Sequence, residues 1–267
     1  LANISLFETG LKNLLLTSST LNNPHQIENY QQLEMIDLSG SSFTANYLLS
    51  FFKSISVASD KTQTSPSRIH LNNIHIDPSE AHQFYKSISD GLVLPSLISL
   101  SYTHNVISNE AVKPFFSFLK KQPNLCELDL SYSLHLKLKN AADNGNDKAL
   151  TDAFKIIADD LAVLKLEVFK MQGKEDTSYK GTYFGKVLAK FLKVNKKLPK
   201  GYSGIREIDL YGQQLMDDGL NLLKSFVEED HALRAISFQS TNATANVLFD
   251  LMEIIVSPNS AIESATW

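Results

Sequence analysis

The sequence repeats itself, and that repetition limits the chain to a small set of folds. Leu125-Cys126-Glu127-Leu128-Asp129-Leu130 carries apolar residues at its first, fourth and sixth positions. The same spacing returns in Leu33-x-x-Ile36-x-Leu38, Leu97-x-x-Leu100-x-Tyr102, Ile205-x-x-Ile208-x-Leu210 and Leu233-x-x-Ile236-x-Phe238. Looser copies are Ile69-x-Leu71, with Pro66 in the first place, and Leu161-x-x-Leu164-x-Leu166, with Leu11-x-x-Leu14-x-Leu16 as a terminal copy. The fourth-position residues fall at 14, 36, 69, 100, 128, 164, 208 and 236, in steps of 22, 33, 31, 28, 36, 44 and 28. Each step accommodates a short strand, two turns and a helix. Such a unit cannot bury its apolar face alone, so neighbours must stack.

The intervening text is helical in period. Leu220, Leu222, Leu223, Phe226 and Val227 follow Asp217-Asp218-Gly219, and Tyr47, Leu48, Phe51, Phe52 and Ile55 follow Phe43. Val112, Phe115, Phe116 and Leu119 make a third such run, with Ser108 or Asn109 as N-cap and Lys120 and Lys121 in the last turn. Pro114 predicts that this helix begins there or kinks. Segments 59–67, 139–147 and 193–204 read as loops, the last two as insertions that lengthen the step. None is long enough to link independent domains, so the expectation is one domain over 1–267, with terminal repeats at about 1–32 and 233–267 acting as caps.

These repeats resemble leucine-rich repeats, and among them the ribonuclease-inhibitor-like subtype, whose units pair each strand with a full α-helix. The stretch Ile205–Val227 carries the pattern most fully, with Gln213 in the slot that the family gives to Asn. Asn105 is the only Asn in that slot; elsewhere it holds Ser19, Ser41, Ile74, Ser133, Phe169 and Thr241. In the family that Asn ties successive turns to backbone, so here Ser, Thr and Gln must do part of that work. The resemblance implies an α/β solenoid, a horseshoe of about eight repeats with a parallel concave sheet and convex helices. It also implies protein binding. The irregular, Asn-poor and Cys-poor repeats are similar to those of effectors from intracellular bacterial pathogens.

In that register the outward strand positions are legible. Asp37, His70, Asp129, Lys165 and Asp209 are central. Arg68, Asn72, Glu127, Glu167, Glu207, Tyr211 and Gln239 flank them, and His104 and Tyr132 stand at strand exits. The wall is acidic, interrupted by Lys165 and Arg68. A solvated sheet face would need similar charges; a binding face would use Tyr132 and Tyr211 as anchors for a partner with a basic patch.

Other chemistry is poorly supplied. One cysteine, Cys126, excludes an intrachain disulfide and a multi-cysteine zinc site, and points to a reducing compartment: the cytoplasm, or a host cytosol for a secreted effector. Net charge is -4, which argues against a nucleic-acid binder. No apolar run of membrane-spanning length occurs, and a chain that starts at Leu1 reads as a fragment or processed form. His70, His75, Asp77, Glu80 and His82 lack metal-ligand spacing, and no phosphate loop, nucleophile elbow or zinc-protease helix is present. Paired carboxylates on adjacent strands have ladder spacing and do not make a glycosidase pair. Lys180, Lys186, Lys190, Lys193, Lys196, Lys197 and Lys200 surround Phe184, Val187, Leu188, Phe191 and Leu192 as an amphipathic helix, either a packed convex helix or a peripheral contact for anionic lipid or nucleic acid.

The expectation is therefore a non-enzymatic module without cofactor or metal, monomeric when free, that binds and regulates or inhibits a protein partner. The alternatives are the recognition domain of a larger enzyme such as a ubiquitin ligase, and a peripheral membrane protein.

Overall fold

The computed structural model describes residues 2–5, 33–62, 66–76, 78–134, 136, 148–173, 187, 190–191, 204–213, 215–229, 232–239 and 242–267. The chain divides into two compact units, Leu1–Leu125 and Cys126–Trp267.

The first unit runs β1 (Ala2–Ser5), β2 (Leu33–Asp37), α1 (Ala45–Thr62), β3 (Arg68–His70), α2 (Pro78–Ser89), β4 (Ser99–Ser101) and α3 (Asn109–Lys120). Its strands pair in parallel and in chain order, with Ile4, Ile36, Ile69 and Leu100 in one register row. Helix α1 packs on α2, and α2 on α3. The second unit runs β5 (Glu127–Asp129), α4 (Lys148–Leu161), β6 (Val168–Lys170), β7 (Glu207–Asp209), α5 (Met216–Glu229), β8 (Ala235–Ser237), α6 (Ala245–Ile255) and β9 (Ser264–Thr266). Here Leu128, Phe169, Ile208, Ile236 and Ala265 share a row, again parallel and in chain order. Both units are thus α/β, built by strand–turn–helix recurrence.

The strand centres from β2 to β8 are buried because the helices cover one side of each sheet. Ile69 and Ile208 are fully buried, while the residues on either side of them are half-exposed. Period-two alternation therefore sends every second residue to the uncovered face.

Successive turns are tied by a backbone rule that recurs across both units. Four residues past the strand centre the backbone is left-handed, at Gly40, Asn73, His104, Tyr132 and Gly212. The N–H of this residue donates to a carbonyl of the next turn: Gly40 to Asn72, Asn73 to Thr103, Tyr132 to Gln172 and Gly212 to Gln239, all at 2.8 Å. One residue further on lies the slot that the repeat family gives to Asn. Buried Asn105 accepts the Ile74 N–H at 2.7 Å and donates to the Leu71 carbonyl at 2.6 Å. Gln213 makes the matching bond to the Met171 carbonyl at 2.7 Å. Gln substitutes for Asn there, as its longer amide still reaches.

Several sequence expectations need correction. The strand expected around Leu164 lies five residues later, as Leu166-x-x-Phe169-x-Met171, because Leu161 closes α4 and Phe169 aligns with Leu128 and Ile208. Phe169 is thus a strand centre and holds no Asn slot. The strand beside β2 is Ala2–Ser5, within Leu1-x-x-Ile4-x-Leu6, and not the Leu14 copy, which falls outside the described residues. A further strand, β9, follows α6 in Ile262-x-x-Ala265-x-Trp267. Helix α1 continues to Thr62 and takes up part of the loop expected at 59–67. Helix α3 starts at Asn109 after Ser108 and runs through Pro114. The insertion at 139–147 falls outside the described residues, as do 193–203.

Candidate functional site

The uncovered strand faces of the two units differ in charge. In the first, Asp37 on β2 is level with His70 on β3, and Met35 with Arg68. In the second, β5 and β7 carry Glu127, Asp129, Glu207 and Asp209, against one cation, Lys170 on β6. Four carboxylates and one ammonium leave -3 on three strands. The acidic character expected of the whole wall is concentrated here.

Lys170 occupies the place expected for Lys165. Pairing puts it level with Asp129 on one side and Asp209 on the other. Its Nζ lies 2.5 Å from Glu207 Oε1. Burial opposes its charge, but the hydrogen bond to Glu207, then the charges of Glu207, Asp129 and Asp209, hold its pKa above the usual lysine value. Lys165 is exposed ahead of β6 and belongs to no row. Glu167 also precedes the strand, where it pairs with Arg206 at 2.6 Å. The β5–β7 face therefore has a cation at its centre and carboxylates around it.

The aspartates have a second duty. Asp37 Oδ1 accepts the Ser39 N–H at 2.9 Å, Asp129 Oδ1 the Ser131 N–H at 2.9 Å, and Asp209 Oδ1 the Tyr211 N–H at 3.1 Å. Each closes an Asx turn where the strand ends. The recurring Asp-Leu-Ser of residues 37–39 and 129–131 was a readable sign of this role. Their charge still faces outward, but one oxygen of each is committed to the fold.

Tyr132 and Tyr211 bracket the exit end of this patch. Both are half-buried. Tyr132 is left-handed at φ 58°, in the turn position that Gly40, Asn73, His104 and Gly212 fill elsewhere. Burial, then Tyr211 and Asp209, raise its phenol pKa. Gln172 lies between them, donating from Nε2 to Asp209 Oδ2 at 2.6 Å. His104 is exposed in the first unit, at the equivalent turn position after β4.

The other candidates have structural employment or none. Glu80 Oε2 accepts the Ala45 N–H that opens α1, at 2.8 Å. Among the described residues no group of three or more His, Cys, Asp or Glu side chains gathers as a metal site. Cys126 is half-buried, and its carbonyl accepts the Glu167 and Val168 N–H groups. Of the lysine-rich helix, Val187 and Phe191 are buried, Phe191 against Phe169, and Lys190 pairs with Asp159. Its described apolar residues thus belong to the core. The remaining residues of that helix lie outside the described set. No helix among the described residues is long and apolar enough to cross a membrane.

No known protein family matches this sequence, and no curated protein does. Among solved structures, the chain is similar to a protein of Bacteroides fragilis at 13% identity, with a TM-score of 0.46, over 100% of this chain and 75% of that one.

Proposed function

We propose that this chain is a leucine-rich-repeat solenoid of the ribonuclease-inhibitor-like subtype, a non-catalytic module that binds a protein partner through its strand face. The supporting observation is the net charge of -3 that β5, β6 and β7 display on their uncovered side. A partner with a basic patch is complementary to it, and regulation or inhibition of an enzyme follows if that patch rims an active site. The setting that the resemblance implies is a bacterial effector acting on a host protein or on another effector, in the cytosol.

The test removes charge without removing the Asx turns. Asn keeps a side-chain oxygen for the turn N–H, so Asp129→Asn and Asp209→Asn preserve those bonds, and Glu127→Gln and Glu207→Gln complete the set. Partner proteins captured by the parent chain are identified by mass spectrometry and assayed for loss of activity. The four-substitution variant should bind them at least about tenfold more weakly at low salt, with the difference shrinking as salt rises. Equal binding would refute this strand face as the contact.

A further inference from the structure

The first unit holds a cavity whose lining residues all lie outside the strands. Its volume is about 340 Å³, and it sits where the turns leaving β3 and β4 meet the opening turns of α2 and α3. Ile74, Tyr85, Tyr102 and Ala111 are buried and form its floor. Ile76 and Ala81 are half-buried in its wall. His75, His82, Val106 and Glu110 are exposed and mark its mouth.

The repeat pattern does not account for the chemistry of this floor. Tyr102 stands in the last apolar place of its strand motif, where other repeats carry Leu38, Leu71, Leu130, Leu210 and Phe238. Of these residues only Tyr102 has a hydroxyl. It meets the Tyr85 hydroxyl from α2 at 2.6 Å. Tyr85 gives its proton to the Val106 carbonyl at 2.9 Å, so Tyr102 is the donor within the pair. The Tyr85 oxygen therefore keeps a lone pair for a further donor. Both rings are fixed against Phe115, Tyr85 edge-on at 5.8 Å and Tyr102 tilted at 5.1 Å. Such a floor is formed before any ligand arrives.

Charge narrows what can enter. Glu110 carries the one formal negative charge of the described lining, and no Lys or Arg is part of it. A carboxylate or phosphate ligand would meet a like charge and no ammonium or guanidinium. A cation meets Glu110 at the mouth and aromatic rings within. Its donors find acceptors at Tyr85, at the imidazoles of His75 and His82, and at Ser108, whose hydroxyl makes no cap bond to α3. Among the described residues no cluster of His, Cys, Asp or Glu could hold a metal ion, so the cation that fits is organic.

We infer that this cavity binds a small aromatic amine, its ring on the tyrosine floor and its ammonium toward Glu110. Ligand cavities span roughly 300–1,000 Å³, so 340 Å³ admits one or two fused rings with a short side chain. An aromatic body also pairs with the rings of Tyr85 and Tyr102, which an aliphatic one cannot do. The site lies in the first unit and uses no residue of the β5–β7 face, so it goes beyond the strand-face reading.

The test uses three probes that share an indole ring and differ in charge: cationic tryptamine, neutral tryptophol and anionic indole-3-acetate. Each is titrated into the isotope-labelled 267-residue chain and followed by amide chemical shifts. Tryptamine should give saturable shifts centred on Ile76, Ala81, Val106 and Ala111. Tryptophol should bind about fivefold more weakly, and indole-3-acetate more weakly still. Glu110→Gln should bring tryptamine down to the level of tryptophol and leave tryptophol unchanged, a ratio that a general loss of stability would not move. Ala81→Phe fills the cavity from α2 and should abolish binding of all three probes. Where Ala81→Phe fails to fold, Glu110→Gln decides alone. Shifts without saturation, shifts centred elsewhere, equal binding of the three probes, or a tryptamine preference that survives Glu110→Gln would overturn the inference.

Discussion

Two glycines in equivalent turn positions should respond very differently to the same substitution. Gly40 has φ 72° and Gly212 has φ 70°. A Cβ on Gly40 would meet nothing within 4 Å, so Gly40→Ala tests backbone conformation alone. The left-handed region costs an L-residue about 1–2 kcal/mol, and alanine recovers about 0.4–1 kcal/mol by restricting the unfolded chain. The expected net loss is about 1 kcal/mol. In Gly212→Ala the same loss is joined by a collision, because the new Cβ would stand 2.4 Å from the Gly173 oxygen. The turns must part, which endangers the Gly212-to-Gln239 and Gly173-to-Tyr211 backbone bonds, both 2.8 Å. At about 1 kcal/mol net for each bond, the total reaches about 3 kcal/mol. Urea unfolding followed by circular dichroism measures the two losses. Because the sites lie in different compact units, amide exchange at Gly173 and in the turn at Gly40 assigns each loss to its own turn. Gly212→Ala should release the Gly173 amide, which Tyr211 otherwise protects. Equal losses, or a Gly173 amide that stays protected, would refute turn-on-turn contact as the reason for glycine.

Other expectations follow from buried bonds. Asn105→Ala strands the Ile74 N–H and the Leu71 carbonyl in the core and should cost about 2–4 kcal/mol, against about 1 kcal/mol for Gln213→Ala at a half-buried site, both read from urea midpoints. Asp209→Ala should lose about 1 kcal/mol that Asp209→Asn retains, since Asn keeps the bond to the Tyr211 N–H; equal midpoints would deny the Asx turn its role. Tyr85 and Tyr102 share a buried hydroxyl contact of 2.6 Å, and Tyr85 also donates to the Val106 carbonyl at 2.9 Å. Burial pushes Tyr85 up to about 12, and Tyr102 well above the usual tyrosine value. The folded state therefore holds these protons after the unfolded chain has begun to lose them near pH 10. Their stabilisation is complete below pH 10 and is lost as pH rises through 12. Melting temperatures should fall over that window, and less steeply in Tyr85→Phe.

Much of this architecture is local and could be read from residue order. Alternation of apolar and polar residues placed β2, β3, β4, β5, β7 and β8, since one side of each is covered by helices and every second residue must be apolar. The helical period after Phe43, Ile107 and Leu215 located α1, α3 and α5 for the same reason. Gln213 could be picked out as an Asn substitute by its position alone.

What the sequence left open depended on neighbours. Leu161, Leu164, Leu166, Phe169 and Met171 offer two frames with the same spacing. Parallel pairing to Leu128 and Ile208 selects the later one, because a strand's register is set by the partners it aligns with. That choice moves Lys170 into the acidic row and leaves Lys165 and Glu167 outside it. The left-handed turn of Tyr132, whose N–H donates to Gln172, and the close approach of Gly212 to Gly173 are likewise properties of stacked turns. These residues lie in three separate turns of the chain, and only the stacking of turns from β5 to β7 decides which of them meet.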